Sequence, residues 1–307
     1  MNCSVGHMIR REPRSAIDSG INKSQADFTK PGTLVGIEIE MENYRNLGRN
    51  LLYWNYTGDG SLRDNGVEFV SRILGSRDII PSLLEIEPWL KVCRDSWRAG
   101  IHVHVNVANL TVEQVMSVCK LYALMEPLIF AWEGNDRDKN NFCPPWSTIP
   151  THPEALAAAV ATIRELTPTK RADPDENLRI LTRHLGGLHK YTALNLGCIL
   201  RFGSIEFRLM RSTQDTNKIA QYVQLCAAIV NTGAESVDSS PLDLLSGAGA
   251  DHVIDLLGTP FLKQVRDYDA LVWEGVHGAN IIHVADTPTF IQPLVDDVFD
   301  TPLLGEV

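Results

Sequence analysis

The segment 33–44, TLVGIEIEMENY, alternates strictly, with Ile37, Ile39 and Met41 on one side and Glu38, Glu40 and Glu42 on the other. Successive side chains of an extended chain point to opposite faces, so a β-strand gives this stretch one apolar and one acidic side. The pattern recurs. In 98–110, RAGIHVHVNVANL, the residues Ile101, Val103, Val105 and Val107 alternate with His102, His104 and Asn106. In 203–210, GSIEFRLM, Glu206 and Arg208 stand two apart among Ile205, Phe207 and Leu209. If these strands share a sheet, helices must cover one face, while the other gathers acids, imidazoles and a guanidinium.

The turn-rich stretch 57–66, TGDGSLRDNG, leads into VEFVSRIL, a further strand candidate carrying Glu68. YTALNLGCIL (191–200) reads as a strand joined to 203–210 by a hairpin, because only Arg201 and Phe202 separate the two. Helical spacing covers about 79–97, where Pro88 should interrupt the helix or begin a new turn. It also covers 111–132, opened by a Thr111/Gln114 capping box, then 153–166, 175–185, and 216–232 with Asp215 near its start. Residues 134–152 form a long loop that contains Arg137, and such loops tend to bind ligands. Strands and helices follow no regular βαβ rhythm, which predicts an α+β fold around a largely antiparallel sheet. Residues 1–30 read as a flexible arm, 31–236 as the catalytic domain, and 237–307 as a C-terminal extension packed on it.

Acids outnumber bases by 38 to 28 over 307 residues, a formal charge of −10, which argues against non-specific nucleic-acid binding or adhesion to a membrane surface. The chain has no run of 18 apolar residues and no apolar leader, so a cytoplasmic location is expected. Its six cysteines form no CxxC pair and read as small buried hydrophobes. The polar strand faces carry Glu, His, Asn and Arg but no lysine, unlike an ordinary solvated face. Clustered carboxylates repel unless cations bind between them, and oxygen-rich sites favour magnesium or manganese over zinc. HxH pairs also occur in zinc hydrolases, so a metal-dependent hydrolase using His102 and His104 is the alternative, beside a catalytically silent nucleotide-binding protein.

Taken in order, GIEIEME (36–42), DGSLRDNGVEFVSRIL (59–74), GIHVHV (100–105), RDKNNFCPP (137–145), HKYTALNL (189–196) and GSIEFRLMRST (203–213) resemble the amidoligase family. That family is similar to the carboxylate–amine ligases with the glutamine synthetase and glutamate–cysteine ligase fold. The resemblance runs from about residue 35 to 226. It implies an antiparallel sheet curved into a funnel and backed by helices, with ATP at one mouth, Mg2+ (or Mn2+) inside, and small-molecule or peptide carboxylate and amine substrates at the other end. By resemblance, Glu38, Glu40, Glu68, His102 and Glu206 hold metal, and His104 faces the nucleotide. Arg208 steadies the transferring phosphate, which makes Glu206 and Arg208 the catalytic pair. Lys190 and Arg137 fall at nucleotide positions; Asp59, Ser61 and Asn195 fall at substrate positions. Two positions depart from the family's habit: Ala99 stands where Cys is common, and Lys190 where Arg is common. The reaction so implied is amide or isopeptide formation through an acyl phosphate.

Overall fold

The structure is a computed structural model and describes residues 33–237, apart from Arg49, Asn135, Asp136, Ser147, Thr148, Pro150 and Ala172. The arm expected over 1–30, and all but the first residue of the expected 237–307 extension, lie outside the described residues. The alternating segments form strands where expected: β1 (Val35–Met41), β3 (Val67–Ser71), β4 (Gly100–Asn106) and β6 (Ser204–Arg211). With β2 (Trp54–Gly58) and β5 (Leu194–Asn195) they make one sheet in the order β2-β3-β1-β4-β6-β5, antiparallel at every junction. The sheet is open, with β2 and β5 as its edges.

The apolar side chains of each strand lie together on one face. Ile37, Ile39, Phe69, Ile101 and Val103 are fully buried there, each worth about 1.5–3 kcal/mol relative to exposure. Their cover is helical: α1 (Ile79–Leu90), α2 (Val112–Glu133) and α7 (Thr216–Glu235) pack on this face. The helices α3 (Thr151–Glu165), α4 (Pro168–Arg171) and α5 (Pro174–Leu185) follow α2, and α6 (Gly197–Phe202) connects β5 to β6. Gly233 lets α7 lie against α2, since a Cβ there would stand 2.5 Å from the Val118 Cα. Thr111 and Gln114 form the expected capping box of α2, and the Asp215 carboxylate caps α7 by accepting from the amides of Asn217 and Lys218.

Four local expectations are corrected. The first long helix ends at Leu90, not 97: Pro88 lies in its last turn, and the chain then leaves to pair Arg94 with Glu42 through reciprocal backbone bonds of 2.7 and 2.8 Å. The α3 helix starts at Thr151, ahead of the expected 153. In place of a strand over 191–200 there are only Leu194 and Asn195, followed by α6, so the link to β6 is a helix and not a hairpin. The turn is made by Asn195, whose Oδ1 accepts from Gly197 N at 3.0 Å, and α6 stops at Gly203 with φ +68°. Finally, β2 was not legible as a strand: only Trp54 of WNYTG is buried, and an edge strand so exposed carries no apolar alternation.

Among the described residues no single helix is long and apolar enough to cross a membrane. The five described cysteines are free and buried, as expected, while Cys3 lies outside the described residues.

Candidate active site

The sheet register sets the polar face. Glu38 pairs with His102, Glu40 with Glu68, His104 with Glu206, and Glu206 with Asn195. Directly paired residues of an antiparallel ladder share a face, with Cβ atoms about 4.5–5.5 Å apart. Side chains far apart in sequence therefore meet in one row across β3, β1, β4, β6 and β5.

At the β6 end the charges are mutually satisfied. Arg208 Nη1 donates to Glu206 Oε1, Asn195 Nδ2 donates to Glu206 Oε2 at 2.6 Å, and the Cys198 thiol lies 3.1 Å from that same oxygen. Burial alone would raise the Glu206 pKa, but the Arg208, His102 and His104 charges outweigh it and hold the carboxyl below its ordinary value. Burial opposes the Arg208 charge, which Glu206 restores and raises. Burial and then the Glu206 charge push the Cys198 thiol up, so it stays a protonated donor.

His102 is buried at the centre of the face. Its Nδ1 lies 3.1 Å from Glu38 Oε2 and 3.5 Å from Glu206 Oε1, and its Nε2 lies 3.7 Å from Glu40 Oε1. His104 Nε2 stands 3.3 Å from Glu38 Oε1, and its Nδ1 pairs with Ser204 Oγ at 3.1 Å. For Glu38, burial favours the neutral acid, yet the two imidazoles hold the carboxyl well below the usual range. For His104, burial favours the neutral ring, but Glu38 and Glu206 raise its pKa.

At the β3 end the acids have fewer partners. Glu40 Oε2 accepts from Gly100 N at 2.8 Å, and among the described residues the Glu68 carboxylate has neither an ion pair nor a hydrogen bond. Burial, reinforced by the Glu38 charge, pushes the Glu68 carboxyl up to about 7. Three groups place their ligand atoms within 4.8 Å of one another: Glu38, His102 and Glu206; Glu40, Glu68 and His102; and His104, Cys198 and Glu206. The first two are carboxylate-rich, a donor set that fits a hard divalent cation.

Arg137 is placed differently from the sequence expectation. Residues Val103 and Ile101 of β4 pair with Phe207 and Met210 of β6, so Arg208 and Leu209 together oppose His102 in a β-bulge. A bulge leaves backbone groups outside the ladder, and these must find other partners. Leu209 N donates to the Tyr222 hydroxyl at 3.2 Å, and the Leu209 carbonyl accepts from Arg137 Nε at 2.9 Å. Arg137 also donates through Nη2 to the Met210 carbonyl and through Nη1 to the Trp97 carbonyl. It is 2% exposed and holds the bulge in place, rather than reaching out from a loop. Gly100 makes room for this, because a Cβ there would stand 3.0 Å from Arg137 Nη2 and 3.1 Å from His102 Nε2.

The remaining expected site residues separate by role. Asn195 is buried, with its amide engaged by Glu206 and Gly197. Asp59 Oδ1 accepts from Ser61 N at 2.8 Å and shapes the turn before β3. Lys190 is exposed, with Nζ 4.9 Å from the Tyr191 ring centroid. Ala99 is fully buried, in keeping with a packing position. Beside the acids lies a cleft open to solvent, lined by Glu40, His102, Arg208 and Arg137 and also by Ser61, Leu62, Arg98, Phe142 and Tyr191. Arg98, Phe142 and Tyr191 were not picked out from the sequence, although each lies in or beside a quoted motif; the available signal was an arginine just ahead of GIHVHV and aromatic rings within two otherwise polar segments.

A comparison with curated proteins finds no match. A sequence model of the family described as "Putative amidoligase enzyme" matches residues 59–230, which carry Glu68, His102, His104, Glu206 and Arg208. β1 precedes that span and is tied to it through its pairing with β3 and β4, which brings Glu38 and Glu40 to the same face. With more than half of its 307 residues matched and the acids, imidazoles and arginine gathered on one sheet face, the chain belongs to the amidoligase family.

Proposed function

We propose that the chain is an ATP- and Mg2+-dependent ligase that joins a carboxylate to an amine through an acyl phosphate. The observation that carries this reading is the meeting of Glu38, Glu40, Glu68 and Glu206 around His102, with Arg208 against Glu206, in a member of the amidoligase family. On this reading the polar face is the wall of a glutamine synthetase-like funnel. Magnesium would be held by Glu40, Glu68 and His102 on one side and by Glu38 and Glu206 on the other, with manganese able to replace it. His102 fits the first group if its Nδ1–H points to Glu38, which leaves the Nε2 lone pair toward Glu40. The bound cations would neutralise the nucleotide phosphates and polarise the transferring phosphoryl group.

An amine does not usefully attack a carboxylate, because the charge on the two oxygens shields the carbonyl carbon and oxide is a poor leaving group. Transfer of the γ-phosphoryl group to the carboxylate oxygen creates a phosphate leaving group, and amine attack on the acyl carbon then expels phosphate. Arg208 suits the first step, since Glu206 fixes its guanidinium and its buried Nε has no partner among the described residues, leaving a donor for the developing phosphoryl charge. His104 and the exposed Lys190 are the nucleotide contacts that remain, because Arg137 is engaged with backbone carbonyls. Asn195 serves by orienting Glu206 instead of touching substrate.

The test is ADP release by the full chain with Mg2+, ATP and a panel of carboxylates and amines. Glu206→Gln should lower turnover about 100-fold or more with the circular dichroism spectrum unchanged. Absence of both MgATP binding and ADP release in the parent protein would overturn the proposal. Stoichiometric zinc with nucleotide-independent hydrolysis would replace it with the hydrolase reading.

A further inference from the structure

Arg98 lines the same cleft as Glu40 and Arg208, and its surroundings differ from those of Arg208. Among the described residues no carboxylate lies within 4 Å of it, its Nε is buried without a partner, and its Nη2 has only the Ser61 carbonyl at 3.3 Å. Two rings flank it, with its guanidinium carbon 5.5 Å from the Phe142 centroid and 5.7 Å from that of its exposed neighbour Trp97. A planar guanidinium beside aromatic rings, with donors that no acid among the described residues uses, suits a planar anion. Phe142 meets Tyr191 edge-on at 5.9 Å, and Tyr191 in turn lies 6.0 Å from the Arg208 guanidinium carbon. One cleft thus has a guanidinium at each end and two aromatic rings between them.

We infer that the carboxylate substrate carries two anionic groups separated by an apolar spacer: one, beside Arg208, is activated, and the other is gripped by Arg98. Which end is activated rests on the ligase reading above; the two-ended recognition does not. Arg98 is then a specificity-determining residue, and Ser61 contributes through the carbonyl that orients it.

The experiment is a calorimetric titration of the full chain, saturated with Mn2+ and free of nucleotide. The probes are the α,ω-dicarboxylates from succinate to suberate and the monocarboxylates of the same lengths. At least one dicarboxylate should bind about tenfold or more tightly than its monocarboxylate, the increment expected of a charge-assisted contact. Arg98→Gln should erase that difference while leaving monocarboxylate, Mn2+ and MgATP affinities unchanged, and Arg98→Lys should keep part of it. No dicarboxylate preference in the parent protein would overturn the inference, as would a preference that survives Arg98→Gln. A loss confined to MgATP would assign Arg98 to a phosphate, and a loss confined to thermal stability would make it a structural strut; either result overturns it. Because ATP is absent from the titrations of the carboxylates, failure of the ligase reading would appear separately, as absence of ADP release.

Discussion

At the β6 end of the polar face Glu206 is enclosed by Arg208, Asn195 and Cys198, whereas at the β3 end Glu40 and Glu68 face each other with one backbone amide and one imidazole edge for company. Both ends are built from the same device, paired strands with polar side chains at alternate positions. The consequences for protonation are opposite. The Glu206 carboxyl is held low by its cationic neighbours, while that of Glu68 is pushed up to about 7 by burial and by the Glu38 charge. One end brings its own countercharge; the other has only the edge of the His102 imidazole beside its two carboxylates. The difference teaches that acids on one face of one sheet are not equivalent ligands, and that the partners a carboxylate already has decide what it can still bind.

Removing the countercharge is the harshest way to break this contrast. Arg208→Met leaves Glu206 buried without its cation and should cost about 3–5 kcal/mol in urea denaturation; a loss under about 1 kcal/mol would mean that Asn195 and Cys198 suffice. Gly100 joins the two ends, giving its amide to Glu40 and its missing Cβ to Arg137. Gly100→Ala should therefore cost about 1–3 kcal/mol by overpacking, and unchanged stability would show that the Arg137 side chain can simply move aside. Glu68→Gln should weaken Mn2+ binding about tenfold, measured by calorimetry, without destabilising the cation-free protein. If it instead destabilised that form as Arg208→Met does, the two ends would not differ in kind.

The smallest effect is a pH slope. A folded-state pKa raised from 4.5 to about 7 means that the Glu68 contribution to stability is complete below pH 4.5 and is lost as pH rises through 7. Glu38 and Glu206, whose pKa values are lowered, act only as pH falls below about 4.5, outside this window. With a chelator present, the melting temperature should therefore fall more between pH 5.5 and 7.5 for the parent protein than for Glu68→Gln. Identical slopes would show that Glu68 does not set the pH dependence in this window.

The alternation of β1, β4 and β6 was enough to place Glu38, Glu40, His102, His104, Glu206 and Arg208 on the polar sides of their strands, because a period of two is a local property. Which acid meets which histidine was not legible, since register depends on pairing between segments up to 111 residues apart, as Gly100 and Arg211 are. The burial of Arg137 was not legible for the same reason: it accompanies a bulge in β6, and a bulge is a relation between two strands. The strand expected over 191–200 failed because residues 192–196, 198 and 199 are all buried, and a short run of uniform burial does not distinguish a strand from a short helix such as α6. Arg98 gains its meaning only from Phe142 and Tyr191, which the fold brings to it.

The bulge of β6 also sets what kinds of change the strand can absorb. Because Arg208 and Leu209 share one partner, the strand carries one residue more than the ladder needs. Substituting Leu209 is a matter of packing volume. Deleting it would leave the pairings on both sides intact, Phe207 with Val103 and Met210 with Ile101, and would look harmless in a count of ladder bonds. What would vanish is the carbonyl that receives Arg137 Nε and the local bend beside Arg208. The extra residue is thus an insertion that the chemistry depends on, and a chain shortened by that one position could keep its fold while losing the aim of its arginine.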